Sequence, residues 1–195
     1  MTEGAASRYA VAVGADVKTE DPAQGVQVTD GETAPARPRA GLVRWAPLVV
    51  ALPGLVAALS VLVQGWVPTT DQAVQMLRIA DVGTGHTPLV GAWSRYGWNH
   101  PGPLLYWVAA PGYRLLGTTG VAVTVGLVHA AAAAGAVVAA RRIGGELLAW
   151  LVAAAVGIVS LSLGDLLVDP WNPYVGVVAL LAYLLCAWGA AKGDG

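Results

Sequence analysis

The chain has no phenylalanine, one cysteine and two methionines. A single cysteine, Cys186, excludes a disulfide framework and a cysteine-based metal site. Charge is also scarce. Only 12% of the 195 residues are Asp, Glu, Lys or Arg, against 56% hydrophobic. A soluble domain carries about 25% charged residues. The formal net charge is -1, and no extended basic patch exists, so nucleic-acid binding has no support. There is no P-loop, nucleophile elbow, HExxH helix or zinc-finger spacing. No internal repeat recurs at a fixed period.

What is present is apolar sequence in long runs. The charges that remain after residue 44 cluster in short breaks between those runs. This is the pattern of a polytopic membrane protein. Residues 1–44 are polar, with no sustained apolar period. They cannot bury enough surface to offset ordering entropy and read as a disordered tail. No apolar core occurs before residue 41, so no N-terminal signal peptide is expected. Arg37, Arg39 and Arg44 precede the first run, and such a basic flank stays cytoplasmic.

The expected fold is an all-α transmembrane helix bundle of about four spans, with outer juxtamembrane helices. The first span runs from Trp45 to Trp66, roughly 33 Å as a helix. Further spans are read at 119–140, 147–164 and 173–191, which makes 45–191 the membrane domain. Between the first two lies a polar island, 67–118, with Asp71, Asp81, His86, His100 and three arginines. Thr69-x-x-Gln72 reads as a capping box that opens a short helix to about Val82. One face of that helix carries Asp71, Gln75 and Arg78, and another Val74 and Leu77. The segment from Gly102 to Gly117 is short for a span. If it does not cross, Arg37, Arg39, Arg44, Arg141, Arg142 and Lys192 lie inside, against Arg78, Arg95 and Arg114 outside. If it crosses, the bias reverses. The positive-inside rule favours the first arrangement.

That topology gathers Asp71, Asp81, His86, Arg95, His100, Asp165, Asp169, Trp171 and Asn172 on one side. Asp71 reads either as a general base for an acceptor hydroxyl or as a first-turn charge favoured by the helix dipole. His100, before a rigid Pro-Gly-Pro turn, reads as a phosphate or metal ligand or as an exposed turn residue, and His86 likewise. Arg78, Arg95 and Arg114 suit an anionic lipid phosphate, or else simply snorkel. Asn172 and Pro173 read as the cap and first position of the last span, and Trp171 as an interface anchor. His129, among alanines, is read as a neutral ring bonded to a neighbouring helix.

Three stretches together resemble a known family. Asp71 follows the first span directly. His-Pro-Gly-Pro-Leu-Leu-Tyr-Trp runs from His100 to Trp107 into Tyr-Arg-Leu-Leu-Gly. Asp-Pro-Trp-Asn-Pro-Tyr runs from Asp169 to Tyr174. In order and spacing they resemble the N-terminal part of GT-C-type membrane glycosyltransferases of the protein mannosyltransferase and aminoarabinose transferase kind, and related actinobacterial proteins. The resemblance spans about residues 45–191. It implies a polyprenyl-phosphate-linked sugar as donor, membrane lipids as surroundings, and transfer to a cell-envelope acceptor on the outer face of the plasma membrane. It makes Asp71 the catalytic base and Asp169 a second catalytic or cavity carboxylate. His100, with Arg78 and Arg95, would hold donor phosphate. Asp81, His86, Trp171 and Asn172 would line the cavity. It singles out no cofactor, and a divalent metal is compatible with it. Members often carry two adjacent acidic residues in the first loop, whereas Asp71 is followed here by Gln72, so Asp81 or Asp169 would supply the second carboxylate. Full members have many more spans. Four spans therefore imply a partner chain or a continuing reading frame that supplies the rest. The alternative from another class is a non-catalytic membrane protein or assembly partner in envelope synthesis. A small transporter subunit ranks behind both, since few polar groups lie within the spans.

Overall fold

The computed structural model describes residues 40–100 and 102–193. The described residues are helical, apart from loops and one isolated bridge. Helix α1 is a single turn, Ala40–Val43, and α2 is Ala46–Gln64. Most of the tail expected at 1–44 lies outside the described residues. Its last residues are not tail-like, because Val43 is buried beside Ala136, Ala139 and Ala140. Pro47 falls in the first turn of α2, where an amide hydrogen has no helical partner anyway. Gly65 ends the helix at φ 78°, a conformation that favours glycine.

Helix α3 is Thr70–Ala80, and α5 is Asn172–Lys192. Between them runs α4, Leu104–Leu163. Non-helical backbone at Gly117 and at Gly144–Gly145 divides it into α4a (104–116), α4b (118–143) and α4c (146–163). Gly117 and Gly145 have φ of 62° and 71°, so each break is placed where a side chain would be strained. Three helical runs are long and apolar enough to cross a membrane: Gly41–Gln64, Leu104–Val168 and Asn172–Lys192. The expected count was about four. The difference lies in α4, where the expected spans 119–140 and 147–164 join through Gly144–Gly145 with almost no loop.

Contacts fix the directions of the four long pieces. At one end the Thr118 hydroxyl donates to the Trp66 carbonyl (3.1 Å), and the Trp66 amide donates to Thr119 Oγ1 (3.3 Å). Halfway along, Gly54 of α2 meets Gly126 and Ala130 backbone. At the other end Val43, Ala46 and Val50 join the alanines of α4b. Helix α2 therefore runs antiparallel to α4b. Helix α4c folds back, with Ala149, Val152 and Val156 in the same cluster and Ser160 returning to the level of Val61 and Gln64. Helix α5 runs with α4b, from Tyr174 beside His129 to Gly189 beside Ile143. One end of the bundle thus holds 65–100, 102–103 and 164–171. The other holds Arg44, Arg141, Arg142 and Lys192.

The packing is inside-out relative to a soluble protein. Alanines and glycines fill the interior, while Leu52, Leu55, Leu59, Leu62 and Leu180 face outward. Small residues let helix backbones approach closely, and lipid solvates the large ones. His129 is buried, with Nδ1 3.1 Å from the Val125 carbonyl and Nε2 3.1 Å from the Tyr174 carbonyl, so its ring joins α4b to α5 as the sequence suggested.

Candidate functional site

The site is built from two segments far apart in sequence. Gln72 stands at the third position of α3. Its Oε1 accepts from the Thr69 amide (2.9 Å), closing the expected capping box. That assignment leaves the Nε2 as donor, and it donates to Asp169 Oδ2 at 2.8 Å, across 97 residues of chain. The other carboxylate oxygen of Asp169 accepts from the Trp171 amide (3.0 Å). One glutamine side chain therefore closes the start of α3 and ties it to the loop before α5. The loop enters through a 3-10 turn, Gly164–Val168, whose Leu167 and Val168 are buried.

Asp71 is next to this bridge, on the first turn of α3. It is exposed, and among the described residues its carboxylate has no hydrogen-bond or ion-pair partner. The preceding Thr70 has φ 38°, a costly conformation for a β-branched residue. The two carboxylates are thus unlike. Asp169 is a clamped cross-tie with a donor on each oxygen, and Asp71 is open to whatever approaches. Replacing Gln72 tests the tie. Gln72→Ala is expected to lower stability by about 1 kcal/mol, and Gln72→Glu by about 2, because the latter sets like charges against each other. Thermal unfolding in detergent reads both. Equal melting points for all three proteins would show that the bridge carries no weight.

The remaining site residues are spread over the same end. Gly91 to His100 forms a small hairpin. The Gly91 amide bonds to the His100 carbonyl, His100 to Ala92, and Ser94 to Trp98, with the Gly97 amide closing the turn onto Ser94. Gly97 has φ 87°. Arg95 at the tip donates to the Tyr96 hydroxyl (3.0 Å) and stacks over its ring. His100 is half-buried, edge-on to Trp98 at 4.7 Å. Arg78 is exposed on α3, near the buried Tyr106 of α4a. Burial raises the Tyr106 phenol above its usual value, and the Arg78 charge partly offsets that rise. Asp81 is half-buried, and its carbonyl takes the Thr84 hydroxyl. His86 is exposed and lies in the next turn. Trp171 is exposed and packs edge-on against Tyr174.

Several expectations change here. Asn172 does not cap α5; Trp171 occupies that position, with no side-chain cap bond. Arg114 donates to the Val82 carbonyl, which anchors the chain just past the end of α3. On α3 the sequence separates two faces without saying which one packs inward, and the structure decides it. Gln75 is buried with Met76 and Ile79, while Val74 and Leu77 are exposed. The Oε1 of Gln75 has no partner among the described residues. No hydrogen bond joins His100, Arg78 or Arg95 to either Asp71 or Asp169 among the described residues. Nor does any group of three His, Cys, Asp or Glu among them stand close enough to hold a metal ion.

The cavity at this end is a groove of about 430 Å³ between the second half of α2 and the end of α4c. Pro53, Val56, Ala57 and Val61 line it, with Ser60, Gln64, Trp66, Ser160 and Asp165 as its polar members. It reaches Val168, one residue before Asp169. Its apolar wall suits a long apolar chain, and its polar members gather toward the Trp66 and Asp165 end. Fold and site together define a helical membrane protein with a polar layer at one end of its bundle. No family model, curated protein or solved structure matches the chain.

Proposed function

We propose that the chain is a membrane glycosyltransferase, or the N-terminal module of one, that moves a sugar from a polyprenyl-phosphate donor to a cell-envelope acceptor. The observation that supports this reading is the Gln72–Asp169 bond, which ties the first turn of α3, where the exposed Asp71 stands, to the Asp-Pro-Trp-Asn loop. The groove ending at Val168 suits the isoprenoid chain of such a donor. In this reading Asp71 takes the proton of the acceptor hydroxyl as it attacks the anomeric carbon. The bond to phosphate breaks, and the polyprenyl phosphate leaves with its electron pair. Arg78, Arg95 and His100 offer positive or hydrogen-bonding groups for that leaving charge. Arg95 and His100 share the Gly91–His100 hairpin and Arg78 stands on α3, so the donor itself would draw the two elements together.

The test is transfer. Membranes containing the chain, given a labelled polyprenyl-phosphate sugar, are expected to yield labelled acceptor. Membranes without the chain give the background. Absence of any transfer across hexosyl and pentosyl donors would remove the enzymatic reading and leave that of an assembly partner. Exposed Val74, Leu77, Trp93 and Trp98 favour the partner reading as a surface for another chain.

The proposed membrane arrangement has four crossings, α2, α4b, α4c and α5, with the basic end cytoplasmic. In a Cys186→Ala background, a membrane-impermeant thiol reagent added outside intact cells is expected to label a cysteine at Tyr96 and not one at Arg141. Both positions are exposed. The opposite pattern would invert the orientation, and labelling of both would remove an odd number of crossings.

A further inference from the structure

The end of the bundle remote from Asp71 has a feature of its own. Arg44, Arg141, Arg142 and Lys192 gather there, against the single half-buried Glu146, and no ion pair neutralises any of them among the described residues. A groove of about 180 Å³ opens between the last turns of α4b and α5. Its walls are Ala139, Ile143, Leu185 and Ala190, and its floor is Gly189, where an added Cβ would stand 3.4 Å from Ile143. Arg142 lies at its rim. One turn past the floor, the Lys192 ammonium sits 4.7 Å from the Trp188 ring, with that ring half-exposed.

We infer that this groove binds an anionic phospholipid, with the phosphate between Arg142 and Lys192 and the first acyl methylenes against Ile143 and Leu185. Three properties carry the inference. The walls are apolar and belong to the ends of runs long enough to cross a membrane, where acyl chain and headgroup meet. Arg142 lines it, Lys192 follows one turn past Gly189, and among the described residues no carboxylate pairs with either, which matches a phosphate and not a zwitterionic choline head. The guanidinium of Arg142 presents paired donors to phosphate oxygens, and Lys192 adds a point charge. Basic pockets between transmembrane helices are a recurrent form of anionic-lipid site. The inference does not depend on the glycosyltransferase reading, since it concerns the opposite end of the bundle.

The test uses the full chain, purified and stripped of lipid in detergent, with native mass spectrometry as readout. Phosphatidylglycerol and phosphatidylcholine with identical acyl chains are titrated separately. Phosphatidylglycerol is expected to bind at least tenfold more tightly, with one molecule dominant. Arg142→Gln or Lys192→Gln alone is expected to weaken it about fivefold, and the pair roughly 25-fold. Arg44→Gln, at the same end but off the groove, is expected to change affinity less than twofold. Gly189→Leu fills the floor and is expected to lower phosphatidylglycerol binding while leaving every charge in place. The site is overturned if the two lipids bind alike, or if Arg44→Gln weakens binding as much as Arg142→Gln, which would indicate diffuse surface charge. Displacement of the lipid by millimolar glycerol 3-phosphate would overturn it too, by assigning the rim to a soluble anion. A lipid-free dimer that Gly189→Leu dissociates would give the groove to a second copy of the chain.

Discussion

Asp71→Asn is expected to lower sugar transfer by about 10²–10⁴-fold, the range in which a general base contributes, with only the small drop in melting temperature that loss of a first-turn charge brings. The expectation rests on the proposed reading and on the exposure of Asp71. Its carboxylate has no hydrogen-bond partner among the described residues, so the isosteric amide removes a proton acceptor and, beyond that, only a first-turn charge worth about 0.3–1 kcal/mol. Asp169→Asn is a different experiment. An asparagine there still offers one acceptor oxygen, but its amide group faces the second of two donors, Gln72 Nε2 or the Trp171 amide. One of those bonds is lost, at a cost of about 1–2 kcal/mol. Asp169→Asn should therefore lower stability and transfer together. Initial rates with labelled donor and melting curves on the same preparations separate the two residues. Transfer that survives Asp71→Asn at more than half its rate would sink the base assignment. The same loss of stability in both variants would show that Asp71 is bound into the structure after all.

The parts of this arrangement legible in the sequence are those fixed locally. Helices α2 and α5 are long runs without interior charge, and their ends are marked by Trp66 and Lys192. The Thr69–Gln72 cap depends on residues three apart, and it forms. What Gln72 does with its other amide atom depends on Asp169, and no local pattern carries that information. The same limit applies to α3. Its periodicity separates a face with Gln75 from one with Val74 and Leu77, but not which faces protein, because lipid or a partner can cover an apolar face as well as a core can. Within α4 the two expected spans are present, and only the break between them differs from its composition. Arg141 to Glu146 has the composition of a loop, yet Gly144–Gly145 reverses the chain in two residues while helix continues on both sides. The hairpin from Gly91 to His100 left no strand-like alternation to read, since its pairing is only a few residues long.

Gly126→Val is expected to destabilise the bundle by about 3 kcal/mol, at the upper end of the cost of overpacking. Where α2 crosses α4b, a Cβ at Gly126 would lie 2.9 Å from the Ala58 Cβ and 2.9 Å from the Gly54 carbonyl oxygen. The opposing contact is as tight, 2.7 Å from a Cβ on Gly54 to the Gly126 carbonyl. Backbone cannot rotate away as a side chain can, so the helices must separate. Inside a membrane that separation is costly in a particular way. Lipid tails are as apolar as leucine, so close packing, not exclusion of water, holds the pair together. The control is Gly135→Ala, a helical position where nothing lies within 4 Å of the added Cβ. Higher helix propensity should make that variant neutral or slightly more stable. Unfolding in mixed micelles with increasing dodecyl sulfate measures both, and equal midpoints would show that the α2–α4b crossing is not a principal contact. The crossing also bears on the site. It aligns Trp66 with Thr118 and Thr119, the two points between which the outer segment is hung. A Gly126→Val protein that still inserts should therefore lose the register of α3 against the Asp169 loop. Gln72→Glu should then cost it less than the about 2 kcal/mol expected in the parent, a non-additivity that a double-mutant cycle resolves.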